Sequence, residues 1–114
     1  MVHRKESLFQ ETKEEMRGGK GIVTLTHMEK EHLPKNGRIF AKLSIPPGCS
    51  IGEHEHIGEC EMFYFLTGNG TVIDDGVRMP IASGDVMTTP HGHCHSIENT
   101  GAETMEVLAV IITD

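Results

Sequence analysis

The sequence lacks the features that mark membrane proteins, secreted proteins and disulfide-rich domains. Its apolar runs are only a handful of residues long, which excludes a membrane-spanning helix. The segment from Met1 to Glu6 is polar and has no apolar signal-peptide core, so we expect a cytoplasmic protein. Only three cysteines are present, an odd count without framework spacing, which indicates reduced thiols.

Basic residues are scarce in most of the chain. Residues 36–114 contain only Arg38, Lys42 and Arg78 against eleven acidic residues, whereas residues 1–35 are nearly balanced. The formal net charge of the whole chain is −7. A nucleic-acid-binding protein needs a basic surface that neutralises phosphates, so this charge distribution excludes nucleic acid as a partner.

Turn residues are frequent, with 13 Gly and 5 Pro in 114 residues, and they separate short strand-like runs. The predicted strands are Ile22–His27, Arg38–Ile45, Glu53–His56, Glu61–Thr67, Gly70–Asp74, Val77–Ile81, Val86–Thr89, Cys94–Asn99 and Thr104–Ile112. Strands at this spacing, without helices between them, predict an all-β fold, either an antiparallel sandwich or a barrel.

The first twenty residues do not show this strand pattern. Ser7 to Gln10 has the spacing of a capping box, and Gly18-Gly19 would end a helix, so residues 7–17 form either a short helix or an irregular arm. We therefore expect an N-terminal arm over residues 1–20 and a single barrel domain over residues 21–114.

The histidines are concentrated in two short clusters. Residues i and i+2 of a strand point to the same side about 6.6–6.8 Å apart, so His54 and His56 can aim at one point. Glu61 begins the next predicted strand after a turn, and His95 lies on a later strand. Three imidazoles and one carboxylate suit a divalent first-row metal: manganese, iron, nickel, cobalt or zinc. Four protein ligands leave two octahedral positions open, which favours a catalytic site over a closed structural one.

The same residues resemble the two sequence motifs of the cupin superfamily. The first motif is matched by Gly48, His54, Glu55, His56, Glu61 and Gly68, and the second by Gly84, Pro90, Gly92, His95 and Asn99. The resemblance implies a small single-domain cupin, an antiparallel jelly-roll β-barrel (a double-stranded β-helix). It also implies one divalent metal ion per chain bound by His54, His56, Glu61 and His95, for which we expect manganese first.

The resemblance implies a metalloenzyme acting on a small carboxylate or sugar-type substrate that chelates the metal. Small bacterial cupins are likened to oxalate-decarboxylating enzymes, but those carry Arg three residues before the first metal-binding histidine, where this chain has Ile51. A lyase, an isomerase and an oxygenase remain open, although thiol dioxygenases of the superfamily typically lack the motif glutamate, which is Glu61 here. The alternative from another class is a non-catalytic, metal-dependent ligand-binding or sensor protein.

Four further residues are candidates for the site. His93, two residues before His95, is the expected acid–base group at the barrel mouth. Phe63 and Phe65 share the face of Glu61 and should line the lumen. Lys42 either points inward as the partner of an anionic substrate or points outward as a surface residue.

We also expect a two-fold homodimer. Small cupins are usually dimers, and the arm before Gly21 is long enough to reach a neighbouring chain. The strand Ile22–His27 could then add to the sheet edge of the partner.

Overall fold

The computed structural model describes residues 1–114 and contains ten β-strands with three short 3-10 turns. The strands are β1 (Phe9–Glu14), β2 (Ile22–His27), β3 (Gly37–Ile45), β4 (Ser50–Glu55), β5 (Glu59–Thr67), β6 (Asn69–Asp74), β7 (Val77–Ala82), β8 (Val86–Thr89), β9 (Cys94–Glu98) and β10 (Met105–Thr113). They form a six-stranded sheet in the order β1-β2-β3-β10-β5-β8 and a four-stranded sheet in the order β4-β9-β6-β7. All pairings are antiparallel, so the predicted all-β jelly-roll architecture is confirmed. None of the helical turns is long and apolar enough to span a bilayer.

The inner faces of the two sheets enclose one apolar core. Along β10 the side chains alternate strictly, so that Met105, Val107, Ala109 and Ile111 are buried while their neighbours face outward. The core contains 14 buried residues contributed by both sheets. This period-2 alternation is the pattern of a sheet with one face on the core.

The N-terminal segment differs from its prediction. Residues 9–14 form strand β1, which pairs with β2 from Phe9 opposite His27 to Glu14 opposite Ile22. Two alternatives were predicted for residues 7–17, a short helix and an irregular arm. Neither describes residues 9–14, because the backbone of β1 is paired with β2 while every side chain of β1 is exposed. Strand β2 lies between β1 and β3, so it has no free edge to offer a partner chain, and the edge strands of this sheet are β1 and β8.

Candidate metal centre

A bulge in β4 directs two histidines into the barrel. Ile51 is buried, and strict alternation from it would point Glu53 inward and His54 outward. The pairing of β4 with β9 shifts register between Ile51 and His54, and after this shift His54 lies opposite His95. Bulges commonly re-aim side chains next to functional sites, and this one places His54 and His56 on the inner side.

The four predicted ligands converge at one end of the core. The Nε2 atom of His95 lies 3.1 Å from Nε2 of His54 and 3.0 Å from Nε2 of His56. Oε1 of Glu61 lies 2.9 Å from Nε2 of His56 and 3.0 Å from Nε2 of His95. All four ligand atoms lie within 4.8 Å of one another. The structure thus brings together the residues that were predicted from two separate motifs.

The other ring nitrogen of each histidine is held by its own partner. Nδ1 of His54 lies 2.8 Å from the carbonyl oxygen of Gly52, and Nδ1 of His56 lies 2.5 Å from Oε2 of Glu59. Nδ1 of His95 lies 2.7 Å from Oγ1 of Thr89. A carbonyl oxygen and a carboxylate can only accept, so Nδ1 of His54 and of His56 donates. When either ring is neutral, its Nε2 therefore carries the lone pair that a metal ion would bind.

This donor set fits a divalent transition metal. Neutral imidazoles held through Nδ1 place their Nε2 lone pairs, together with a carboxylate oxygen, around one point. Like lone pairs at this separation repel each other unless a cation or a proton lies between them. Imidazole ligands whose second nitrogen donates to a carbonyl or carboxylate are the usual arrangement of a protein metal site.

The pKa values of three residues of the cluster are shifted, in different directions. Burial acts to raise the pKa of Glu61, but hydrogen bonds with His56 and His95 outweigh burial and lower the pKa to about 2. Burial lowers the pKa of His54, which favours a neutral ring. The hydrogen bond with Glu61 raises the pKa of His56, so this ring binds a proton more readily when no metal is present. A metal ion that binds Nε2 would have to displace that proton.

Two residues outside the cluster support His56. Nε of Arg38 donates to Oε1 of Glu59 at 2.7 Å, and its terminal nitrogen donates to Oε2 at 2.9 Å. The hydrogen bond from Arg38 lowers the pKa of Glu59, which keeps it a charged acceptor for His56. Sequence reasoning missed this pair, although Glu59 precedes Glu61 by two residues and therefore shares its strand face.

A cavity of about 380 Å³ opens at the cluster. Its inner wall is apolar and includes Leu43, Ile51 and Phe63 beside the ligands. Its other wall comes from the N-terminal segment, which contributes five charged residues. These residues are Glu11, Lys13, Glu14, Glu15 and Arg17. No spacing or motif in the sequence indicated that this segment reaches the site.

The two predicted phenylalanines occupy different depths. The ring of Phe63 lines the cavity and stacks on the ring of His95, with centroids 5.1 Å apart and an angle of 13° between the planes. Phe65 lies on the same strand face but is fully buried in the core, where it contacts Phe63 edge-on. Only Phe63 is therefore in a position to touch a ligand.

The side chains of His93 and Lys42 do not reach the cavity. Nδ1 of His93 lies 3.0 Å from Oδ2 of Asp75 on the outer surface, where both side chains are about half exposed. Lys42 points outward between the buried residues Ala41 and Leu43, and its Nζ pairs with Glu106 at 2.9 Å. Of the two alternatives for Lys42, the structure favours the surface residue, and the acid–base role predicted for His93 has no support from its position.

The fold and the site define the class of protein, and the comparison with known proteins agrees. The cupin domain family matches residues 41–111, and the chain belongs to this family. The oxalate-binding protein of Thermotoga maritima is 47% identical over 113 residues, which cover 98% of this chain and 93% of the relative.

Solved structures show the same architecture. A Thermotoga maritima protein described as a predicted oxalate decarboxylase superposes with a TM-score of 0.93 at 46% identity and covers 100% of both chains. A Cupin 2 conserved barrel domain protein from Salinispora arenicola superposes with a TM-score of 0.65 at 25% identity, covering 96% of this chain and 79% of that one.

Proposed function

We propose that this protein binds one divalent first-row transition metal ion per chain and, on that ion, a small dicarboxylate of the oxalate type. The observation that carries the proposal is the convergence of three Nε2 atoms and one carboxylate oxygen within 4.8 Å at the bottom of a small cavity. The oxalate-binding relative, similar over nearly the whole chain, supports the ligand class. Among possible metals, we expect manganese first, ahead of iron, nickel, cobalt and zinc.

The residues divide the work of binding. His54, His56, Glu61 and His95 would hold the ion, and Glu59 with Thr89 would keep two of the imidazoles oriented. When bound, the ion supplies Lewis-acid charge for carboxylate oxygens. Phe63 and Ile51 give the cavity apolar walls, which exclude water from one side of the ligand. A cavity of about 380 Å³ is at the small end of ligand sites, which favours a molecule of a few heavy atoms.

The test compares metal-loaded and metal-stripped protein by calorimetry with oxalate. Metal analysis should give one ion per chain, and oxalate should bind only the loaded form. The double variant His54→Ala, His56→Ala should lose both metal and oxalate binding, whereas His91→Ala, which lies outside the cavity, should keep both. Equal oxalate affinity of the loaded and stripped forms would contradict the proposal.

Catalytic conversion of the bound ligand is the second candidate function, and the number of protein ligands favours it. Four protein ligands leave two positions of an octahedral ion for substrate, which is the arrangement of catalytic metal sites. A lyase such as a decarboxylase, an isomerase and an oxygenase all fit these open positions. Following ¹³C-labelled oxalate by NMR separates the two functions: an unchanged bound ligand indicates a binding or sensor protein, and formate with carbon dioxide indicates a decarboxylase.

We further propose a homodimer in a reducing compartment such as the cytoplasm. All three cysteines are unpaired, which suits a reducing environment. The outward face of the six-stranded sheet carries cross-strand apolar pairs, namely Val110 with Phe40 and Met62, and Leu108 with Tyr64. An apolar patch of this kind is typical of a protein–protein interface.

A further inference from the structure

The N-terminal segment crosses the cavity mouth in a strained turn, which we call the arm turn (residues 15–19). Glu15 has φ +50° and Arg17 has φ +55°, two non-glycine residues in the left-handed region within three positions. Residues other than glycine adopt this region rarely because Cβ is crowded there. Such strain persists only where surrounding contacts impose it, and it is concentrated at ligand-binding sites.

Two glycines dock the arm turn against β4. A Cβ on Gly19 would collide with the backbone oxygen of Ser50, and a Cβ on Gly52 would collide with the backbone oxygen of Arg17. Hydrogen bonds of 2.9 Å join Lys20 N to Ser50 Oγ and Ser50 N to Lys20 O. Because the carbonyl of Gly52 also accepts from His54, the turn is fixed directly beside the metal ligands.

The docked turn places Arg17 in the wall of the cavity that opens at the ligand cluster. Arg17 lines the same cavity as His54, His56 and Glu61. It has no carboxylate within 4.0 Å, whereas Arg38 is held by Glu59. The guanidinium is therefore free to accept an anion at the mouth.

We propose that Arg17 binds the outer oxygens of a planar dicarboxylate whose inner oxygens face the metal, and so selects dicarboxylates over hydroxy acids. This inference rests on the proposed metal-dependent binding of dicarboxylates. A dicarboxylate that offers one oxygen of each carboxylate to a metal keeps its other two oxygens coplanar on the opposite side. A guanidinium presents two parallel N–H donors in a plane and matches such a pair of oxygens.

Other charges at the mouth do not offer the same geometry. Lys13 also lines the cavity without an ion pair, but an ammonium is a point donor and does not read two coplanar oxygens. The carboxylates of Glu14 and Glu15 also line the cavity and repel an anion. An anionic ligand must therefore gain a specific contact, such as that with Arg17, to offset this repulsion. Glycolate provides the contrast: it chelates through a carboxylate oxygen and a hydroxyl, and keeps only one outer oxygen.

The experiment titrates manganese-loaded protein with oxalate and with glycolate by calorimetry, using Arg17→Gln, Arg17→Lys and the control Arg78→Gln. Arg78 is exposed on β7, outside the cavity and without an ion pair. Loss of a charged, two-point hydrogen bond should weaken oxalate binding of Arg17→Gln about ten- to hundred-fold. Glycolate binding should weaken about three-fold or less, since it loses at most one such contact. Arg17→Lys should recover part of the oxalate affinity, and Arg78→Gln should match the wild type.

Metal content and melting temperature of each variant complete the test. Both should equal the wild-type values, because Gln and Lys meet the same left-handed backbone at position 17 as Arg does. Unchanged oxalate affinity in Arg17→Gln, an equal loss for both ligands, or a loss of metal would each overturn the inference while leaving the proposed function intact. Wild-type protein that holds the metal but binds no oxalate would overturn the proposed function, and this inference with it.

Discussion

At the scale of single residues, His56 lies between two carboxylates that do different things. Oε1 of Glu61 lies 2.9 Å from Nε2 of His56, on the side of the proposed metal site. On the other side of the ring, Oε2 of Glu59 accepts a hydrogen bond from Nδ1 of His56. Arg38 in turn donates two hydrogen bonds to the carboxylate of Glu59. The imidazole is therefore aimed by a charged acceptor whose own position is fixed.

Replacing Glu59 tests this support. We expect Glu59→Gln to lower metal affinity by roughly 10- to 100-fold, because a neutral acceptor makes the imidazole a weaker ligand and breaks one contact with Arg38. Competition with a chromogenic chelator measures the affinity. Glu103→Gln removes an equal charge from an exposed position and should leave the affinity unchanged. Equal affinities of the Glu59→Gln variant and the wild type would mean that Glu59 does not orient His56.

At the scale of structural elements, Asn99 closes the connection between β9 and β10. Its fully buried side chain donates to the carbonyl oxygens of Ile45 and Glu103 at 2.7 Å and accepts from the backbone N–H of Gly101 at 2.9 Å. We expect Asn99→Ala to lower the free energy of unfolding by about 2 kcal/mol, because it removes three buried or part-buried hydrogen bonds at once. Urea denaturation measures this loss, and metal content should not change, since Asn99 is no part of the ligand cluster. A variant as stable as the wild type would contradict the structural role.

The same scale explains what could be predicted from the sequence. The strands β2 to β10 were predicted because turn residues separate short strand-like runs, although the run predicted for β4 began at Glu53 and the strand begins at Ser50. The four candidate metal ligands were predicted from spacing within two motifs. Strand β1 was missed because all of its residues are exposed, so it has no alternation to detect and depends on pairing with β2. The place of Arg17 in the cavity wall was not predicted, because it depends on a long-range contact between the arm turn and Gly52.

At the scale of the whole molecule, the outward face of the six-stranded sheet predicts assembly. Phe40 and Tyr64 are 42% and 48% exposed there, and Leu108 lies between Lys42 and Tyr64 in the pairing. We expect light scattering to give twice the chain mass of 12.6 kDa at micromolar concentration. Leu108→Glu should give the monomer mass, because a charge in a dry interface is costly. Val77→Glu, exposed on the other sheet, is the control, and a monomeric wild type would contradict the prediction.

The four candidate metal ligands are distributed over both sheets of the barrel. Glu61 belongs to the six-stranded sheet, whereas His54 and His95 belong to the four-stranded sheet and His56 directly follows it. A bound ion would thus cross-link the two sheets at this end of the barrel. The opposite end, where Asn99 ties β9 to β3 through its own hydrogen bonds, stays closed whether or not an ion is present. The two sheets are therefore joined at one end by the protein's own hydrogen bonds and would be joined at the other end by a bound ion.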